Sequence, residues 1–231
     1  MEVRKLIKFG KSSYVVSLPS KWVRAAGLKK GDDLFVSERD REIIISAKDS
    51  SRERRREYAV NAEGKSLREL ETEIVSAYLN NYDVIRVFEK PSLRNSEKIR
   101  SIMRNLAGLE ILEQTKTKMV AKDLVDIREL SVEALLRRLD VITRSVFDDL
   151  VSSVSAREAP PYHSIKHRDQ DVNRLVFLSF RVLRRALSDP AVRSHLGLSV
   201  LEAHKYYMIV LRIEKIGDFA KRIAKNLQRC S

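Results

Sequence analysis

A single cysteine, Cys230, means that no internal disulfide can form, and neither a thiol-ligated metal site nor a cystine framework is available. That pattern sets the expectation of a cytoplasmic protein. No stretch of the 231 residues approaches the roughly 18 apolar positions a membrane-spanning helix needs, so membrane insertion is not expected. The opening residues carry no apolar run followed by a small-residue cleavage site, so no secretory signal is expected either. There is no Gly-rich phosphate loop, no GxSxG and no HExxH. Without a nucleophile, base and oxyanion set, an enzyme is the least expected class. Aromatics reach only 6%, whereas charged residues make up 33%, and 45 Lys and Arg against 32 Asp and Glu leave a formal charge of +13. The sequence pI is about 9.9. Such a balance attracts a polyanion, for which nucleic acid is the simplest candidate; an acidic membrane surface would be served by the same charge.

The basic character is organised from the first residues. VRKLIKF and SYVVSL are short β-type runs flanking Gly10-Lys11-Ser12-Ser13, which reads as a turn with a basic corner and hence a hairpin. Pro19 stops the second run, Ser20 is placed to cap a helical turn through KWVRAAG, and Gly27 is placed to close it with φ > 0. After GLKKGDDL come LFVSE and EIIISA, joined by Arg39-Asp40-Arg41. Four strands and one helical turn bury too little surface to stand alone, which points to an obligate dimer.

The order of basic strand, Gly-Lys corner, VVSLP, short helix, GLKKGD and IIISA resembles the AbrB/MazE/SpoVT swapped-hairpin DNA-binding domain over residues 1–48. The resemblance implies a homodimer that interleaves its hairpins and presents basic residues to double-stranded DNA. The matching positions are Arg4, Lys5, Lys11 and Arg24; Lys8 and Lys21 lie close by as phosphate contacts, and Ser12-Ser13-Tyr14 lengthens the first hairpin, with Ser12 and Ser13 at the DNA-facing corner. Val23 stands where the family often has a second arginine.

Residues 49–56 form a polar, basic linker, either a hydrated tether or a segment that lies along DNA. Residues 57–124 read as a small βαβαβ domain, a two-layer sandwich. YAVN and DVIRVF are strands, Ser66 and Glu69 make a capping box, and Ile99, Ile102, Met103 and Leu106 line one face of a second helix that Gly108 ends. ILEQTKTKMVAKDL is the third strand, with alternation through Thr115, Thr117 and Met119. A structural or dimerisation module is favoured here over a ligand sensor.

Residues 125–231 turn helical. Leu135, Leu136, Leu139, Ile142, Val146, Leu150 and Val154 recur at spacings of three and four, and Pro160-Pro161 breaks that helix. A second helix, stopped by Asp189-Pro190, turns Ile165, Val172, Leu175, Leu178 or Phe180, and Leu183 inward. The third, from near Ser199, carries Leu201, His204, Met208, Leu211, Ile216, Phe219, Ile223 and Leu227. Together they predict an antiparallel three-helix bundle. Glu214 and Asp218 are four residues apart and can converge on one cation, or else stay solvated or pair with Lys215, Lys221, Arg222 or Lys225, and Gly217 between them leaves room for a neighbouring helix or ligand.

RIEKIGDFAKRIA, together with DQDVNRL on the preceding helix, resembles the signature of PhoU-type helical bundles. The expected fold class is thus multidomain α+β, with a swapped-hairpin β domain, a βαβαβ middle domain and a PhoU-like bundle. The resemblance implies a divalent or iron-type metal ion held by Asp169, Asn173, Glu214 and Asp218, although Asn173 and Phe219 depart from the family pattern. Such domains usually carry two three-helix repeats where this chain has room for one, which leaves open whether the single repeat pairs across the dimer. The leading expectation is a DNA-binding transcriptional regulator of phosphate uptake with a PhoU-like sensing or relay domain. One alternative is a signalling adaptor acting on a phosphate transporter or sensor kinase through protein contacts. Another is an antitoxin-like module, against which the long, strongly helical C-terminal part counts.

Overall fold

Ile7 opposite Val15 and Lys8 opposite Tyr14 define the first element of the computed structural model, an antiparallel hairpin of β1 (Ile7–Phe9) and β2 (Ser13–Val15). The structure describes residues 2–39, 42–47, 56–90 and 92–230, which fall into two compact units, Met1–Glu53 and Arg54–Ser231. Residues 49–55 of the expected linker lie outside the described residues.

In the first unit both hairpin strands are shorter than their apolar runs. Gly10, at φ 70, makes the turn with Lys11 and Ser12, and Ser13 already belongs to β2. Helix α1 (Ser20–Ala25) begins one residue earlier than the capping pattern suggests. Pro19, with φ −62 and ψ 124, takes the cap position, so Ser20 is the first helical residue and caps nothing. Gly27 closes the turn as expected at φ 68, with Leu28 N–H donating to Val23 O at 3.0 Å. β3 (Phe35–Arg39) pairs with β4 (Glu42–Ser46); Asp40 and Arg41 lie outside the described residues. No side chain described in residues 2–47 is buried.

The second unit begins with a four-stranded sheet in the order β5-β6-β8-β7. β5 (Glu57–Asn61) runs parallel to β6 (Val84–Phe88) through the crossover helix α2 (Leu67–Leu79), whose capping box of Ser66 and Glu69 is formed. Helix α3 (Ser96–Arg104) follows β6. The expected third strand is in fact two, β7 (Leu109–Gln114) and β8 (Lys118–Asp123), so the order is βαβαββ. The polar triplet Thr115-Lys116-Thr117 turns the chain, with Thr115 N–H donating to Lys118 O at 2.8 Å, which is why its alternation does not continue a strand. Val60, Leu70, Ile74, Ile85, Ile99 and Met119 centre the core of this layer.

A short 3-10 turn (Ile127–Glu129) leads into α4 (Val132–Ala156), α5 (Tyr162–Ser188), α6 (Pro190–His195) and α7 (Val200–Cys230). The three long helices pack on one another, and α5 also packs on α2. Helix α6 was not expected. Asp189 ends α5 and caps the new helix, its Oδ1 accepting from Ala191 N–H at 2.9 Å, while Pro190 stands at the first turn, where a missing N–H costs nothing.

On α4 and α5 most of the expected inward faces are buried, but Val154 and much of the expected face of α7 are not. The α7 residues that pack inward include Ala203, Val210, Ala220 and Ala224, with Tyr206, Ile213 and Leu227 partly buried. His204 is exposed, as are Leu201, Met208, Ile216, Phe219 and Ile223. The helix carries two apolar faces. The face with alanines lets neighbouring helices approach closely, and packing selects it over the bulkier one.

Candidate functional site

The first hairpin separates its side chains by the two-residue period of a strand. Ile7, Phe9 and Val15 fall on one face and Lys8 with Tyr14 on the other. Ile7, Phe9 and Val15 are 58%, 70% and 45% exposed, an apolar face that a single chain does not cover. Val36 and Ile43 of the second hairpin are likewise open to solvent. Every cation expected to meet DNA is exposed, namely Arg4, Lys5, Lys8, Lys11, Lys21 and Arg24, and so are Ser12 and Ser13. Arg4 is ion-paired with Glu2 and donates to Ser17 Oγ at 3.4 Å, which ties the segment before β1 to the one after β2. Arg24 Nε donates to Ser20 O at 3.4 Å and so lies back along α1. Lys8, Lys11, Lys21 and Arg24 thus sit on a strand, a turn and a helix of one small unit. Tyr14 lies directly across from Lys8, a pairing that only the strand register makes.

In the second unit α5 and α7 bring the expected carboxylates together around a lysine. Lys221 Nζ donates to Asp169 Oδ2 at 2.7 Å and to Asp218 Oδ1 at 2.9 Å. Asn173 Nδ2 donates to the same Asp169 oxygen at 3.4 Å. Burial works to lower the Lys221 pKa, but its hydrogen bonds to Asp169 and Asp218 outweigh that effect and the pKa is raised. The pKa of Glu214 is also raised, first by burial and then by the charge of Asp218. Glu214, Asp218 and Asn173 border a cavity of about 280 Å³ whose opposite wall includes Glu71, Val75 and Ile102.

Gly217 is not demanded by this geometry. A methyl group there would meet Val172 Cγ1 at 3.9 Å, an ordinary van der Waals contact. Among the described residues no group of three or more His, Cys, Asp or Glu is placed to hold a metal ion. Asp169, Asn173, Glu214 and Asp218 therefore do not fit the implied metal as they stand, because an ammonium lies between the two aspartates and Asn173 presents a donor to Asp169. Lys221 was visible in the sequence three residues after Asp218, on the same helical face, yet only the packing of α5 on α7 brings Asp169 to it.

Residues 7–53 match the family described as antidote-toxin recognition MazE, bacterial antitoxin. The first unit thus carries an AbrB/MazE-type domain, a class whose members typically dimerise and bind DNA. No curated protein and no solved structure matches the chain. No described helix is long and apolar enough to cross a membrane.

Proposed function

We propose that the chain is a DNA-binding transcriptional regulator acting as a homodimer through its N-terminal hairpins. The observation that carries this reading is the division of the first hairpin into an exposed apolar face of Ile7, Phe9 and Val15 and a face bearing Lys8, all within a MazE-type domain. A second copy covers the apolar faces, and the cations of both chains then line the duplex. The likeness of DQDVNRL and RIEKIGDFAKRIA to PhoU-type bundles supports a relay role for α5 and α7 in control of phosphate uptake. Pairing of the helical parts across the dimer would also cover Ile216, Phe219 and Ile223.

Fluorescence anisotropy with operator and unrelated duplexes, across a salt series, tests the first part. Lys11→Ala and Arg24→Ala should each weaken binding and lower the slope of log K against log salt by about 1 to 2, one phosphate contact per chain. Absence of binding at low salt would overturn the reading. Crosslinking to genomic DNA at high and low phosphate identifies targets and tests the phosphate link.

The family description favours a second reading, an antitoxin whose C-terminal part neutralises a toxin. Recovery of a stoichiometric toxin partner whose activity the chain suppresses would select it.

A further inference from the structure

We infer that Lys221 is the resident cation of the α5–α7 carboxylate cluster, standing where a metal ion would, so that this chain takes up no divalent metal there. Asp169 Oδ2 accepts from Lys221 Nζ at 2.7 Å and from Asn173 Nδ2 at 3.4 Å, and two donors engage the two lone pairs of that oxygen. Asp218 Oδ1 accepts from the same ammonium at 2.9 Å. A zinc ion held by these aspartates would need their oxygens at roughly 2.0–2.2 Å, in space that Nζ fills, and would meet the amide N–H of Asn173. Asn173 turns its nitrogen toward Asp169, so it is a donor where a ligand set needs an acceptor.

The sequence builds the arrangement locally. Lys221 follows Asp218 by three residues, which puts both on one face of α7, and Asp169 and Asn173 are likewise one turn apart on α5. One ammonium shared by two carboxylates joins the helices without an exogenous ion. Asp169 is only 12% exposed and Lys221 29%, so the bond is shielded and salt screens it less than a surface pair.

The test uses the full-length chain. Titration calorimetry with Mn²⁺, Fe²⁺ under anaerobic conditions and Zn²⁺ should show no stoichiometric binding, and a chelator should leave the melting temperature unchanged. Lys221→Met, which keeps the apolar stem and removes the charge, should lower the melting temperature by several degrees. Asp169→Asn combined with Lys221→Met should then lose less than the sum of the two single losses, because both remove the same bond. A stoichiometric metal in the wild-type chain that Asp169→Asn and Asp218→Asn together abolish would overturn the inference. Strictly additive losses, or a Lys221→Met variant that melts like the wild type, would do so as well.

Discussion

Arg181 reaches from α5 to the carboxylate of Asp123 at the end of β8, Nη2 to Oδ2 at 2.6 Å, with the two side chains 2% and 6% exposed. The same guanidinium bonds to the carbonyls of Tyr78 and Tyr82 and lies 4.6 Å above the Tyr78 ring. Burial raises the pKa of Asp123 despite the facing charge of Arg181. One side chain thus joins α5 to the sheet and to the end of α2. Arg181→Met removes the donor of Asp123 Oδ2 and of the Tyr82 carbonyl, although Val125 N–H still reaches Asp123 Oδ1 and Asn81 N–H the Tyr78 carbonyl, so denaturant unfolding of the second unit should show a loss of about 3–5 kcal/mol. Asp123→Asn, which retains an acceptor for Arg181, should lose less.

Gly108 has φ 81, and a Cβ there would meet Val125 Cγ2 at 2.1 Å. Its carbonyl accepts from Leu124 N–H at 2.9 Å, so the two segments are held at that approach. Gly108→Ala combines a left-handed backbone penalty of about 1–2 kcal/mol with a steric overlap. It should destabilise the unit by more than the backbone term alone. Val125→Ala in the same chain should recover part of the loss, which a thermal melt of the single and double variants can measure.

Gly217 behaves oppositely. It sits inside α7, without a positive φ, and the nearest atom to an added methyl is at an ordinary 3.9 Å. Gly217→Ala should therefore stabilise by about 1 kcal/mol, the helix-propensity difference, a rise of roughly 2–4 °C in melting temperature.

Glu89 supplies the pH dependence. Its side chain is 4% exposed and accepts from Arg94 N–H at 3.0 Å and Arg94 Nε at 2.6 Å. The backbone hydrogen bond, followed by the side-chain bond, holds its pKa below the usual carboxylate value of 4.5. A depressed folded-state pKa means that the stabilisation is present above about pH 4.5 and is lost as pH falls through the lower folded value. Glu89→Gln should flatten that part of the stability profile below pH ~4.5, as followed by urea unfolding at a series of acid pH values.

Local signals carried far in this chain. The Ser66 and Glu69 capping box, the closing Gly27 and the buried Ile99, Ile102 and Met103 follow from short-range hydrogen bonding, backbone sterics and helical period. The split of the third strand was less legible, because threonines suit a turn as well as a strand. The cations of the first hairpin and the carboxylates of α5 and α7 could be named from residue type and spacing alone.

The sequence by itself determined which residues carry charge and, from capping and periodicity, most of the helices and strands, but not α6 or the division of the third strand. Tertiary structure decided which of two apolar faces α7 buries, because both have helical period and only the packing of neighbouring helices distinguishes alanine from phenylalanine. It also decided that Lys8 and Tyr14 share a face and that Asp169, distant in sequence, meets Lys221. Those pairings depend on register and interhelical distance, which spacing along one chain segment does not encode.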